Sequence, residues 1–404
     1  MTKNRVTIIG AGLAGSEAAL LLSKYGFLVD LFDTKGMSLL SAYELNLYAE
    51  LVCNNSFGPV RDDTPLGMLR SELDYLNSEL VHIANNCRVF DEKYFAIDKK
   101  AFSNAVTDAL HKSKVQIHTE LVETLPISRP LIVATGPLTG NRIVEEIVDR
   151  FKINGYHFAD ASSPVVDISS IDVFNPCFIK FSDDLYGVTI SDSVFLKFKN
   201  ELAKAKVSKE HAGESPIIRY ENSHSIEQLA KRKDDSLKNS RFVQAGIDNT
   251  VVLLRRETAL ANGFILVGCM TAMLYTEQKR IFSMLPGFQN CKFIKYGRMH
   301  RNTFFDSPHF LDYFYKAKTD DVYIIGQLSG VDGYLPAISS GFVAAYRIIN
   351  GKNAVRFPRN TMIGALANYV SNDSVVDFQP MCASFSLLSE RNANYKELLS
   401  DFML

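Results

Sequence analysis

Gly10-Ala11-Gly12-Leu13-Ala14-Gly15 follows directly on the apolar run Val6-Thr7-Ile8-Ile9, and Asp33 stands about 20 residues further along the chain. Glycines at the first, third and sixth positions of such a turn remove Cβ atoms where the chain bends sharply and where backbone amides must approach a pyrophosphate. The positive end of the helix that follows then faces two negative charges. Asp33 can accept hydrogen bonds from both ribose hydroxyls of an adenosine and repels a 2′-phosphate, which favours FAD or NAD over NADP. Gly10, Ala11, Gly12, Leu13, Ala14, Gly15 and Asp33 are therefore expected to hold a dinucleotide.

The elements that position these residues are readable from the same stretch. Ser16 to Lys24 predicts a helix, Gly26 stops it, and Phe27 to Phe32 predicts a second apolar strand ending at Asp33, which completes a βαβ unit. Further strands are expected at Val115 to His118, Pro130 to Ala134 and Val322 to Ile325. A helix capped by Asp98 places Phe102, Ala105, Val106, Ala109 and Leu110 on one face, and Ile143, Val144, Ile147, Val148 and Phe151 mark another. Such alternation predicts an α/β chain with a doubly wound, parallel, Rossmann-type sheet. Between 166 and 295 the pattern changes to short β-like runs, such as Val251 to Leu254 and Phe264 to Val267, broken by polar, Lys-rich segments. This predicts an α+β domain, 166–295, inserted between two parts, 1–165 and 296–404, of a discontinuous first domain.

Two further features favour FAD over NAD. Val133-Ala134-Thr135-Gly136 reads as a strand running into a turn of the kind found in two-dinucleotide-type flavoproteins, which assigns Thr135 and Gly136 to the cofactor. Gly326, Gly330, Asp332, Gly333 and Tyr334 form a glycine-rich turn before a helix through Ile338 and Val343. If that helix aims its N-terminus at a flavin pyrimidine ring, its dipole stabilises negative charge on the reduced cofactor. There is no second G-x-G-x-x-G, so NAD(P)H is expected to visit and leave.

Composition sets limits on partners. Lys and Arg total 44 against 45 Asp and Glu, a net charge of −1, so no global field holds a polyanion. Any RNA site must be local, and the candidates are Lys231, Arg232 and Lys233, and Arg298 with Arg301. The six cysteines are scattered without C-x-x-C pairs, and neither a signal peptide nor a long uncharged apolar run is present. A cytoplasmic, reduced protein without membrane or metal is expected.

Taken together the motifs resemble the folate- and FAD-dependent RNA (uracil-5-)-methyltransferase family. The resemblance is carried by GAGLAGSEAA (Gly10 to Ala19), AELVCNNS (Ala49 to Ser56), ATGPLTG around Thr135, and YGRMHRNTFFDSP (Tyr296 to Pro308). GQLSGVDGY (Gly326 to Tyr334), SSGFVAA (Ser339 to Ala345), IGALANYV (Ile363 to Val370) and FQPM (Phe378 to Met381) extend it along nearly the whole chain. It implies formation of 5-methyluridine in structured RNA, in a tRNA T-loop or in 23S rRNA. Methylenetetrahydrofolate is the implied carbon donor, with FAD reduced by NAD(P)H and the methylene passing through flavin N5. Uracil C5 is a poor nucleophile until a thiolate adds at C6. Cys53, in the second motif, is the candidate catalytic thiol, and the other five cysteines are read as ordinary small side chains.

The chain also departs from the family pattern. A second family cysteine aligns with Ser223 in Tyr220-Glu221-Asn222-Ser223, the glycine-proline-rich loop is shortened to Gln244 to Asn249, and a Pro-Ala-His segment near residue 40 is missing. A serine hydroxyl is a poor substitute for a thiol unless His224 activates it. These departures leave one alternative reading, a diverged FAD-binding oxidase or reductase that has lost folate and RNA.

Overall fold

Apolar side chains that alternate along short strands give one parallel sheet two separate cores. The computed structural model describes residues 5–35, 37, 45–208, 217–218, 224–244, 249–257, 262–391 and 394–404. In it the strands Val322–Ile324, Leu131–Val133, Arg5–Ile9, Leu28–Asp33 and Gln116–Thr119 lie side by side in that order, all parallel. Ile132, Tyr323 and Ile325 pack into one core with Ala18, Phe102 and Phe342, whereas Leu131, Val133, Val322 and Ile324 pack into the other with Ile143 and Ile147. Each face of the sheet is thus covered by helices, as a doubly wound fold requires. The chain winds outward in both directions from Arg5–Ile9. That reversal places the topological switch point, where such folds bind ligands, beside Leu131–Val133.

The first helix spans Leu13–Lys24 and so begins earlier than the expected Ser16, inside the glycine hexad. Gly15 already lies within it, because a Cβ there would come within 1.9 Å of the Gly10 carbonyl oxygen. The helix Lys99–Lys112 carries the expected cap, with Asp98 Oδ1 accepting from the Ala101 N–H at 2.9 Å. The glycine-rich turn leads into the longest helix, Tyr334–Asn350. It crosses the first helix at Gly341, where a Cβ would meet the Ala14 carbonyl oxygen at 2.3 Å. That close approach lays the middle of the longer helix against the first turn of the other.

A second sheet runs in the order Phe293–Lys295, Val165–Asp167, Gly263–Leu266, Asn249–Arg256, Leu185–Ser191 and Phe178–Lys180, with antiparallel neighbours. Its core joins Val188, Val252, Leu254 and Phe264 to Phe198, Ile226 and Phe282 of the helices on one face. The chain enters and leaves this region through a shared ladder: Gly155–Ala161 pairs antiparallel with Met299–Phe305 over seven residue pairs. Among the described residues no helix is long and apolar enough to cross a membrane. None of their His, Cys, Asp and Glu side chains gather in a group of three or more able to hold a metal ion.

Two buried carboxyl side chains tie together helices packed around the parallel sheet. Glu17, in the first helix, accepts from the N–H groups of Glu79 and Leu80, and Glu72 accepts from those of Met362 and Ile363 at 2.8 and 2.9 Å. Burial nevertheless outweighs these donors and pushes the Glu72 carboxyl up to about 8 and that of Glu17 up to about 7. A carboxyl whose pKa is higher in the folded chain than in the unfolded one contributes most below the unfolded value, and that contribution is lost as pH rises through the folded value. Glu72→Gln keeps one acceptor and removes the charge. The variant is therefore expected to be less stable than the parent near pH 5, with the deficit shrinking, by on the order of a few kcal/mol, as pH rises from 5 to 9. Urea denaturation across that range measures it, and a pH-independent deficit contradicts it.

Candidate active-site cleft

Side chains from all the regions above line one cleft of about 1010 Å³ at the switch point. Gly10, Ala11, Gly12, Leu13 and Ala14 form its floor, with Asp33 beside them. Asp33 Oδ2 accepts from the Ala11 N–H at 2.6 Å and Oδ1 from the Lys35 N–H at 2.8 Å. Each oxygen of an ionised carboxylate still has a further acceptor site for a ribose hydroxyl. A Cβ on Gly12 would meet nothing within 4 Å, so this backbone is bare toward the cleft at the helix N-terminus, as close approach of a pyrophosphate demands. A Cβ on Gly136, across the cleft, would likewise meet nothing. The volume lies at the upper end of cofactor sites, and these residues fit a dinucleotide such as FAD.

Thr135 and Gly136 line the opposite wall, where Thr135 shares a 2.6 Å hydrogen bond with Thr139. Gly326, Asp332, Gly333 and Tyr334 line a third side, so the helix Tyr334–Asn350 does present its first turn to the cleft. Gly15 and Gly330 are not among the lining residues. Gly15 sits behind the floor against Gly10, and Gly330 adopts φ +84° where a Cβ would meet the Phe378 ring at 2.4 Å. Both glycines are required by packing behind the site.

Cys53 lines the cleft on a short loop that is pinned from two directions. On one side the Tyr334 hydroxyl oxygen accepts from the Cys53 and Asn54 N–H groups at 2.8 and 3.0 Å and donates to the Asn54 carbonyl at 3.0 Å. On the other, Asn55 Oδ1 accepts from Arg255 Nε at 2.9 Å while Asn55 Nδ2 donates to the Arg256 carbonyl at 2.7 Å. Arg255 also reaches Asp91 Oδ2 at 3.3 Å and covers the Tyr94 ring. Burial lowers the Arg255 pKa and Asp91 offsets it. Sequence reasoning missed Arg255, whose only signal is a charge at the end of the apolar run Val251 to Leu254.

Cys382 is the second cysteine of the cleft wall, next to Gly333. Burial, with Asp332 nearby, pushes its thiol up to about 12, so it stays protonated at neutral pH. Arg241, Ser163, Met270, His300 and Asn302 extend the cleft toward the second sheet, and the buried ion pair of Lys35 with Glu50, 2.7 Å, stands at its lip.

Lys231, Arg232, Lys233, Arg298 and Arg301 are not among the lining residues, although Asn141, to which Arg301 is bonded, is one. Arg232 is 3.3 Å from His224 Nε2, and Arg301 donates to Asn141 Oδ1 at 2.8 Å. Ser223 with its neighbours 220–222, residues 245–248 of the shortened loop, and 38–44 near the missing Pro-Ala-His segment lie outside the described residues.

Comparison with known proteins places this arrangement. A family model described as glucose inhibited division protein A matches residues 5–354. The chain belongs to that family. Within it, the chain is 37% identical over 400 residues to a Lactobacillus acidophilus relative, covering 95% of this chain and 91% of that one. It is 36% identical over 402 residues to an Acetivibrio thermocellus relative, covering 95% and 92%. Both relatives are named methylenetetrahydrofolate–tRNA-(uracil-5-)-methyltransferase TrmFO, and the chain is a member of this TrmFO-like branch, as its motifs predict. The structure of Aquifex aeolicus GidA superposes with a TM-score of 0.73 at 16% identity, over 99% of this chain and 73% of that one. The fold is therefore the family's Rossmann-type fold.

Tyr334→Phe removes the oxygen that satisfies two N–H groups and one carbonyl of the Cys53 loop. Stability is expected to fall by about 1–3 kcal/mol, and alkylation of Cys53, followed by peptide mass spectrometry, is expected to be faster. An unchanged alkylation rate contradicts the restraint.

Proposed function

We propose that this chain is a flavoenzyme that forms 5-methyluridine in tRNA, with methylenetetrahydrofolate as carbon donor and NAD(P)H as the visiting reductant. The observation that carries the reading is the convergence of two helix N-termini and the Cys53 loop on one cleft, in a chain whose relatives are named for this reaction. Gly10, Ala11, Gly12, Leu13, Ala14 and Asp33 hold the adenine-side half of FAD, with Gly15 packing behind them. Thr135, Gly136, Gly326, Asp332, Gly333 and Tyr334 face its remainder, with Gly330 shaping the turn. The chain divides functionally into 1–165 and 296–404, which hold the cofactor, and 166–295, which faces folate and RNA.

Methylenetetrahydrofolate carries carbon at the formaldehyde level, so a methyl group requires two further electrons, and FAD supplies them when bound. The protein's part is to make uracil C5 nucleophilic. Cys53 as thiolate adds to C6, forming an S–C6 bond and moving the C5–C6 electron pair into an enolate. C5 then attacks the donated carbon, the C5 proton leaves and its electron pair expels the thiolate from C6. The bond between that carbon and the donor nitrogen breaks with its pair going to nitrogen, and the carbon becomes methyl with the hydride equivalent that bound FAD would supply. Cys53 is assigned this role because Ser223 stands at the second family cysteine and the Cys382 thiol is held protonated by burial. A base presenting both C5 and C6 must be unstacked, which suits a loop uridine. The names of the relatives favour tRNA over the rRNA loop that the sequence also allows.

Purified protein is expected to be yellow, and incubation with methylenetetrahydrofolate, NAD(P)H and unmodified tRNA to yield 5-methyluridine by mass spectrometry. Cys53→Ala is expected to lower the methylation rate by at least about 1000-fold, the scale of losing a covalent nucleophile, with flavin absorbance retained. Full methylation by that variant removes Cys53 from the reaction. NADH oxidation with no RNA product supports the diverged oxidase or reductase instead.

A further inference from the structure

The second domain carries an aromatic column that ends at the surface beside the cleft. Phe293 stacks on Tyr296 with centroids 4.8 Å apart and planes 10° from parallel, and Tyr296 stacks on Tyr275 at 4.6 Å and 21°. The Arg298 guanidinium lies over the Tyr275 ring, 5.6 Å from its centroid. The inner end is rooted in the core through Phe282, which packs against both Phe293 and Phe198. The outer end is capped by the exposed Arg298 guanidinium, and Tyr275 beneath it is 43% exposed. A buried stack of rings needs no ligand to explain it. An exposed guanidinium plane held over a tyrosine ring is, however, a surface on which an unpaired nucleobase stacks.

Charge and position agree. Lys206 joins Leu274 through a backbone hydrogen bond of 3.0 Å, and exposed Lys279 lies one helical turn beyond Tyr275 on the same face. The Glu277 carboxylate in that turn is engaged by Arg280 at 2.9 Å. The backbone of Arg298 is bonded to Ser162 at 2.9 and 3.1 Å, and its near neighbours Ser163 and His300 line the cleft. The outer end of the column is therefore tied, through the Arg298 backbone, to residues adjoining the cleft lining.

We propose that Tyr275 and Arg298 form a stacking platform for an unpaired base of the RNA substrate, outside the cleft, with Lys206 and Lys279 facing the adjoining phosphates. This rests on the tRNA reading above. The test is fluorescence-anisotropy binding of unmodified tRNA to the full-length protein over a series of salt concentrations. Tyr275→Ala is expected to weaken binding roughly 5- to 100-fold with the salt slope unchanged, the signature of a lost stack. Tyr275→Leu, which keeps apolar packing on Tyr296, is expected to weaken it similarly, and Tyr275→Trp to restore it. Arg298→Ala is expected to weaken binding and reduce the salt slope by about 1. Wild-type binding with unaltered affinity in Tyr275→Leu and Arg298→Ala overturns the platform alone. Absence of tRNA binding by the wild-type chain overturns the tRNA reading and the platform with it.

Discussion

The buried guanidinium of Arg255 is the constraint on which the cleft depends. It stands at the end of a strand of the second sheet, yet its partners, Asn55 and Asp91, lie outside that sheet, about 160 to 200 residues earlier in the chain. All three side chains are almost fully buried, so each hydrogen bond replaces water that cannot return. Losing one partner leaves a charge or an amide stranded, which typically costs about 3–5 kcal/mol for a buried ion pair. The geometry is correspondingly specific. Asn55 uses both ends of its amide across the junction, and Asp91 spends its other oxygen on the N–H groups of Lys93 and Tyr94. The second sheet is thereby fixed to the residue two places from Cys53.

The second restraint on that loop comes from the opposite direction. Tyr334 opens the helix whose N-terminus faces the cleft, and its phenol oxygen makes three hydrogen bonds to Cys53 and Asn54 backbone. In the proposed reaction the thiol must meet the edge of a base, and a restrained backbone serves it, since misplacement of about 1 Å costs on the order of 100-fold in rate. Helix dipole, glycine turn and cysteine loop are thus one assembly, fixed by neutral hydrogen bonds.

How much of this was legible in the sequence depends on the range of the interaction. The opening βαβ unit is local, and the strand, glycine turn, helix and Asp33 appear within a residue or three of where periodicity places them. The Asp98 cap is equally local and is observed as expected. A glycine that packs closely, as Gly15 and Gly330 do, and a glycine that contacts a ligand look alike in a motif. The Arg255–Asn55 and Tyr334–Cys53 contacts join residues 200 and 281 positions apart, and no spacing rule reaches that far. The stacked column of Phe293, Tyr296, Tyr275 and Arg298 was illegible for the same reason, although Arg298 had been singled out by charge.

The ladder between Gly155–Ala161 and Met299–Phe305 brings the two ends of the intervening chain to a single place. Because departure and return share one set of backbone hydrogen bonds, lengthening or trimming a loop in between imposes no new closure entropy on the nucleotide-binding sheet. Changes of length within the intervening chain can then accumulate while the parallel sheet is inherited intact. In the sequence, the trimmed loop and the serine at position 223 both fall between the two strands of this ladder.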